Sequence, residues 1–101
     1  MSKTKTKSFD PAAYLDDSES IAAYLTDALE SEDPAFVADA LGVVARARGM
    51  SEVASKAGLS RESLYKSLSP EGNPEFATVL RVIGALGLRL SVASTKTTEI
   101  V

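Results

Sequence analysis

The stretch from Gly49 to Leu68, Gly-Met-Ser-Glu-Val-Ala-Ser-Lys-Ala-Gly-Leu-Ser-Arg-Glu-Ser-Leu-Tyr-Lys-Ser-Leu, leaves the chain few ways to fold locally. Val53, Ala54 and Ala57 put small or branched apolar groups on one face of a short helix. Gly58 then permits a sharp turn, and Leu59 plugs that turn from inside. Ser60 is placed to cap a second helix, with its hydroxyl accepting from that helix's free N–H groups, while Leu64 and Leu68 form the buried stripe. The pattern predicts a helix-turn-helix. Its second helix turns Arg61, Glu62, Ser63, Tyr65 and Lys66 outward, a set rich in hydrogen-bonding groups on the element that such motifs insert into the DNA major groove.

A net charge of −3 runs against DNA binding, because phosphate neutralisation supplies most of the affinity. The distribution along the chain resolves the conflict. From Phe9 to Ala45 there are nine acids (Asp10, Asp16, Asp17, Glu19, Asp27, Glu30, Glu32, Asp33 and Asp39) and no lysine or arginine. From Arg46 to Lys66 there are five bases (Arg46, Arg48, Lys56, Arg61 and Lys66) against two acids (Glu52 and Glu62), a local balance of +3. Two charge regimes in so short a chain point to two partners of opposite sign. The competing explanation is that the acids are simply a solvated face.

The chain contains neither cysteine nor histidine, which removes thiol nucleophiles, disulfides, zinc fingers and imidazole bases together. No metal or cofactor is expected, and no catalytic residue is assigned. The adjacent acids Asp16, Asp17 and Glu19 are better explained by capping and by the helix dipole than by an enzyme site. No apolar run reaches the roughly 20 residues of a membrane span, and the first residues lack a signal-peptide core, so a cytoplasmic location is the default expectation.

Four segments follow from the remaining punctuation. Residues 1–8 read as a disordered basic arm, and residues 9–33 as an acidic helical extension. In that extension Pro11 opens a single helical turn, Phe9, Tyr14 and Leu15 supply docking anchors, and Asp16 or Ser18 caps a helix ending near Glu30. Ile21, Leu25, Ala28 and Leu29 form that helix's stripe, with Tyr24 on its edge. Residues 34–93 read as the helix-turn-helix domain. Asp33 and Pro34 start its first helix, Phe36, Val37, Ala40, Leu41, Val44 and Ala47 or Arg48 follow the helical rhythm, and Gly49 ends it. Gly42, in mid-helix, suggests a close crossing. Asn73 is expected to cap the last helix and Pro74 to begin it, with Phe76, Val79, Leu80, Ile83 and Leu86 buried and Gly87 at its end. Leu88, Leu90 and Val92 then alternate with Arg89, Ser91 and Ala93, which predicts a strand that pairs with a second copy, or else a terminal segment lying on the core. Residues 94–101 read as a disordered tail.

The acidic N-terminal helices, Ala45-Arg46-Ala47-Arg48-Gly49-Met50-Ser51, Gly58-Leu59-Ser60-Arg61-Glu62-Ser63-Leu64-Tyr65-Lys66, Gly72-Asn73-Pro74 and Ala85-Leu86-Gly87-Leu88 occur in an order that resembles the antidote proteins of type II toxin–antitoxin modules. The resemblance is to the HigA-like group with a Cro/repressor-type helix-turn-helix, and it runs from about Phe9 to Val92. It implies a homodimer, binding to double-stranded operator DNA ahead of its own operon, and neutralisation of a cognate toxin of the RelE/ParE fold. The fold expected is mainly α, a five-helix lambda-repressor-like helix-turn-helix bundle with an N-terminal helical extension and one short C-terminal β-strand.

Within that reading, Arg61 can fork onto guanine, Lys66 can reach guanine or phosphate, and Ser63 can bond a base edge or phosphate. Tyr65 can meet a thymine methyl or a phosphate, and Glu62 can accept from cytosine or orient Arg61. The helix starts at Ser51 and Ser60 offer N–H groups to phosphate, with Lys56 adding a point charge. A small basic toxin suits the acidic surface, with Phe9, Tyr14, Leu15 and Tyr24 as apolar anchors unless they are internal core. Leu88, Leu90 and Val92 are the dimer candidates. The competing function is a stand-alone dimeric repressor without a toxin.

Overall fold

The computed structural model describes residues 17–95, and within them the chain forms five helices. They are α1 (Ser18–Glu30), α2 (Pro34–Arg48), α3 (Met50–Ala57), α4 (Arg61–Ser67) and α5 (Phe76–Ala85). Helix α1 packs on α2, α2 on α3, and α3 on both α4 and α5. Ile21, Leu41, Val44, Leu64 and Val82 are fully buried at the centre, with Leu25, Ala28, Val53, Ala54, Leu68, Ile83 and Leu86 around them. Helix α1 therefore shares one apolar core with the other four.

Most helix limits come from local chemistry. Asp33 caps α2 by accepting from the Ala35 N–H at 3.0 Å, and Pro34 occupies the first helical position, where the missing N–H costs nothing. Gly49 closes α2 at φ +110°. Helix α3 ends on Gly58 at φ +75°, where the Gly58 N–H reaches the Ser55 carbonyl and the Leu59 N–H reaches Ala54. That double bond pattern is a Schellman motif, and it turns Leu59 back onto the core. Gly87 repeats the motif after α5, with its own N–H on the Gly84 carbonyl and the Leu88 N–H on Ile83.

Several expectations are corrected. The N-cap of α1 is Asp17, rather than Asp16 or Ser18, and its carboxylate accepts from the Ser20 N–H at 2.7 Å. Asn73 does not cap α5. It sits at φ +48°, outside the extended conformation an N-cap requires, so Glu75 takes that place and the helix starts at Phe76 instead of Pro74. Phe36, Phe76, Leu80 and Leu29, all placed in buried stripes by their spacing, are 45, 69, 44 and 39 % exposed. Helix α5 packs on α3 and buries Val82 and Ile83, with Leu86 just after it, whereas the flank of Phe76 and Leu80 stays largely open among the described residues. No strand forms among the described residues. A strand needs a neighbour for its N–H and C=O groups, and the described residues place none beside Leu88, Leu90 and Val92. Leu88 and Leu90 instead lie half-buried against the core, and Val92 is 98 % exposed.

Two measurements test this anatomy. At Gly42 an added Cβ would fall 2.8 Å from the Leu68 carbonyl oxygen, so the close crossing expected from the sequence joins α2 to the end of α4. Alanine would gain up to about 1 kcal/mol of helix propensity, against an overpacking cost of about 1–3 kcal/mol. Gly42→Ala is therefore expected to lower the urea midpoint, and a raised midpoint would refute the crossing. Asp17 provides the second. Its carboxyl is held below the ordinary value of 3.8, chiefly by the Ser20 backbone N–H, then by the Ser20 side chain. Because the folded value is the lower one, the cap's contribution is full above 3.8 and is lost as pH falls through the folded value. Asp17→Asn keeps an acceptor but cannot titrate, so its stability should fall less steeply than wild type below about pH 4. Parallel acid melts of the two proteins would reveal the gap.

Candidate nucleic-acid interface

Helix α4 has only seven residues, too few to persist alone, so its exposed face is positioned by its attachments. Ser60 accepts from the Ser63 N–H at 3.0 Å, which satisfies one of the free donors at the start of α4. Leu64 and Leu68 are buried, and the Leu68 N–H closes on the Leu64 carbonyl. At 100° per residue the opposite side carries Glu62, Ser63 and Lys66, while Arg61 and Tyr65 share one flank. All five side chains are exposed. The Arg61 guanidinium carbon lies 5.5 Å from the centroid of the Tyr65 ring, within cation–π range. This pairing is local to α4 and gives Arg61 a preferred orientation.

The same geometry sorts the other candidates. Ser51 and Lys56 are exposed on α3, the first near its start. Gly49 precedes that helix and has no side chain with which to cap it. Lys56 bonds Glu52 at 3.1 Å, one turn away, with both side chains more than half exposed. Such a pair is worth well under about 1 kcal/mol and yields readily to a phosphate. The Ser60 oxygen is committed to its cap, although its hydroxyl proton remains a possible donor.

Ala47 and Arg48, one of which the helical rhythm of α2 placed with its apolar positions, are both exposed, and the surroundings of Arg48 were not legible from spacing. Arg48 lines a depression of about 450 Å³ together with Ser18, Glu52, Lys56 and residues 84–87. The only sequence signal was a basic residue in the last turn of α2, where cations favour the helix dipole. Charge segregates by element: residues 17–33 carry Asp17, Glu19, Asp27, Glu30, Glu32 and Asp33 with no base, whereas the bases cluster from the end of α2 through α4.

Tyr24 is half-buried against the core. Burial raises its phenol above the ordinary value, Asp39 adds to the rise, and Arg46 opposes it. Phe9, Tyr14 and Leu15 lie outside the described residues. Among the described residues no group of three or more acids, histidines or cysteines is arranged to hold a metal, and no helix is long and apolar enough to cross a membrane.

The chain matches the family model for probable addiction module antidote proteins over residues 5–94. It is also 47 % identical, over 90 residues, to an uncharacterized protein of Haemophilus influenzae strain Rd, a match that spans 89 % of this chain and 93 % of that protein. No solved structure matches the chain. The family match runs through all five helices, from ahead of the Asp17 cap to the segment after α5, and on that extent this chain belongs to the family of probable addiction module antidote proteins.

Proposed function

We propose that this antidote protein binds operator DNA of its own module through α4 and neutralises a small basic toxin by direct contact. The observation that carries the DNA half is the exposed face of α4, with Arg61 stacked on Tyr65 beside Glu62, Ser63 and Lys66, on a helix fixed from behind by Leu64 and Leu68. Such a face suits the major groove, where Arg61 takes guanine O6 and N7, Tyr65 meets a neighbouring thymine methyl, and Glu62 accepts from cytosine N4 or steers Arg61. Lys66, Ser63, Lys56 and the starts of α3 and α4 at Ser51 and Ser60 hold phosphates. In this reading the bundle is lambda-repressor-like, of the HigA-like and Cro/repressor type.

The toxin half is supported by family membership and by the six acids of residues 17–33. A partner of the RelE/ParE fold, basic as toxins acting on nucleic acid tend to be, would be drawn to that surface. Tyr24, with Phe9, Tyr14 and Leu15, is proposed as its apolar contact. A second copy of the chain is proposed to pair along Leu88, Leu90 and Val92. The full exposure of Val92 supports association through the C-terminal segment. The two α4 helices of the dimer would then lie about 34 Å apart and read half-sites one turn apart.

Arg61→Ala is expected to cost about 1–3 kcal/mol of operator affinity and to relax specificity at one base pair. Titration of the variant against operator and scrambled duplexes checks this, and wild-type discrimination would remove Arg61 from the readout. Val92→Asp is expected to convert dimer to monomer in sedimentation velocity. An unchanged mass would move the seam away from the C-terminal segment.

A further inference from the structure

Helix α1 has a second flank that neither the core nor the DNA-reading face uses. At 100° per residue Ile21, Leu25 and Ala28 point inward, and Ala22, Thr26 and Leu29 follow on one side of that stripe. Tyr24 lies on the other side. Facing Ala22, Thr26 and Leu29 across an open groove of about 630 Å³ are Ile83 of α5 and Leu88 and Leu90 of the segment behind it. The walls are mostly apolar, and Leu29 stands 39 % exposed among them. Glu30 and Glu32 also line the groove, and Arg89 is the one base among the lining residues. Asp27 and Asp33 add further negative charge on the same helix and its loop.

We propose that this groove seats a segment of the toxin, an apolar stretch flanked by lysine or arginine. The inference rests on the antidote reading above and moves the principal docking surface from the Tyr24 side of α1 to the opposite flank. Apolar walls supply the buried anchor that charge alone cannot, while Glu30 and Glu32 select a basic partner and speed its arrival. A second copy of this chain fits the groove itself poorly, so Leu88 and Leu90, which line it, pass from the dimer seam proposed above to the toxin, and that seam is left to Val92, which is exposed and does not line the groove. A two-fold contact would bring the same acidic helix of each copy to one interface, and like charges there are unfavourable.

The test uses the full-length chain and, as probe, the purified product of the reading frame adjoining its gene. Thr26→Arg and Leu29→Arg each place a cation in the groove at an exposed position, and thermal melts establish that they remain folded. Each is expected to weaken toxin binding at least about tenfold, mainly through faster dissociation. Glu30→Lys combined with Glu32→Lys is expected to slow association several-fold at low salt, with little effect at about 0.5 M salt. If wild type does not bind the probe, the antidote reading fails for that product and the groove assignment falls with it. If wild type binds and both arginine variants bind equally well, the groove assignment alone is overturned. A dimer that Thr26→Arg splits without loss of toxin binding would give the groove to a second copy. Nuclear Overhauser contacts from Phe9 or Tyr14 to Leu29 that persist in the complex would give it to the chain's own N-terminal segment. Either result overturns the proposal.

Discussion

The anchorage of α4 is the constraint on which the rest of the molecule depends. Seven residues make two turns, and helices of that length are unstable in water because nucleation costs more than so few hydrogen bonds return. Three attachments offset this. Ser60 caps the start, Leu64 sinks completely into the core, and the Leu68 carbonyl rests against Gly42, where α2 has no Cβ to obstruct it. The turn before α4 is equally determined, because Gly58 supplies the left-handed residue and Leu59 folds back over Ala54. An element that would melt alone thus becomes a rigid platform, and its outward side chains inherit defined positions.

The same core carries both charge regimes. Ile21 and Leu25 of the acidic helix are buried in one cluster with Val53, Leu64 and Ile83. The acids of residues 17–33 are consequently held on a folded surface, rather than on a tail that must order when it binds. Ordering a flexible segment costs conformational entropy at the moment of association, and a preformed acidic flank avoids that cost. Buried acids would have needed partners, but no charged or polar residue is buried among those described. Charge could therefore be distributed for recognition without penalty to the core.

What was legible in the sequence was whatever a few adjacent residues decide. Asp33-Pro34, Gly49, Gly58 and Ser60 set helix limits through backbone conformation and capping, and each acts as its type predicts. Gly42 also signalled its crossing, since a helix-interior glycine is costly without a packing reason. The misses share a different cause. Phe76 and Leu80 have the spacing of a buried stripe, yet whether a stripe is covered depends on which neighbours reach it, and α5 packs chiefly on α3 through its other flank. Asn73 looked like a cap because its type favours capping, but asparagine also tolerates positive φ, and the loop used that property instead. The groove beside α1 joins residues more than fifty positions apart, Thr26 and Leu29 with Ile83 and Leu90, and no local pattern announces it.

Two cations of the proposed DNA interface, Lys56 and Arg61, are restrained in different ways, and the difference bears on their roles. Lys56 holds Glu52 across a solvated i,i+4 pair, an interaction that salt screens and that a phosphate can displace at little cost. Arg61 lies over an aromatic ring that is itself fixed to the short helix. The contact narrows the rotamers of a long side chain before any partner arrives, so less entropy remains to be lost on docking. A loosely held lysine suits a phosphate, which accepts a point charge from many directions, whereas a guanidinium aimed in advance suits the two fixed acceptors of a guanine edge. Substituting Tyr65 should therefore affect discrimination through Arg61 as well as through any contact of its own, and the affinity lost with Tyr65→Ala should be smaller in a chain that already carries Arg61→Ala.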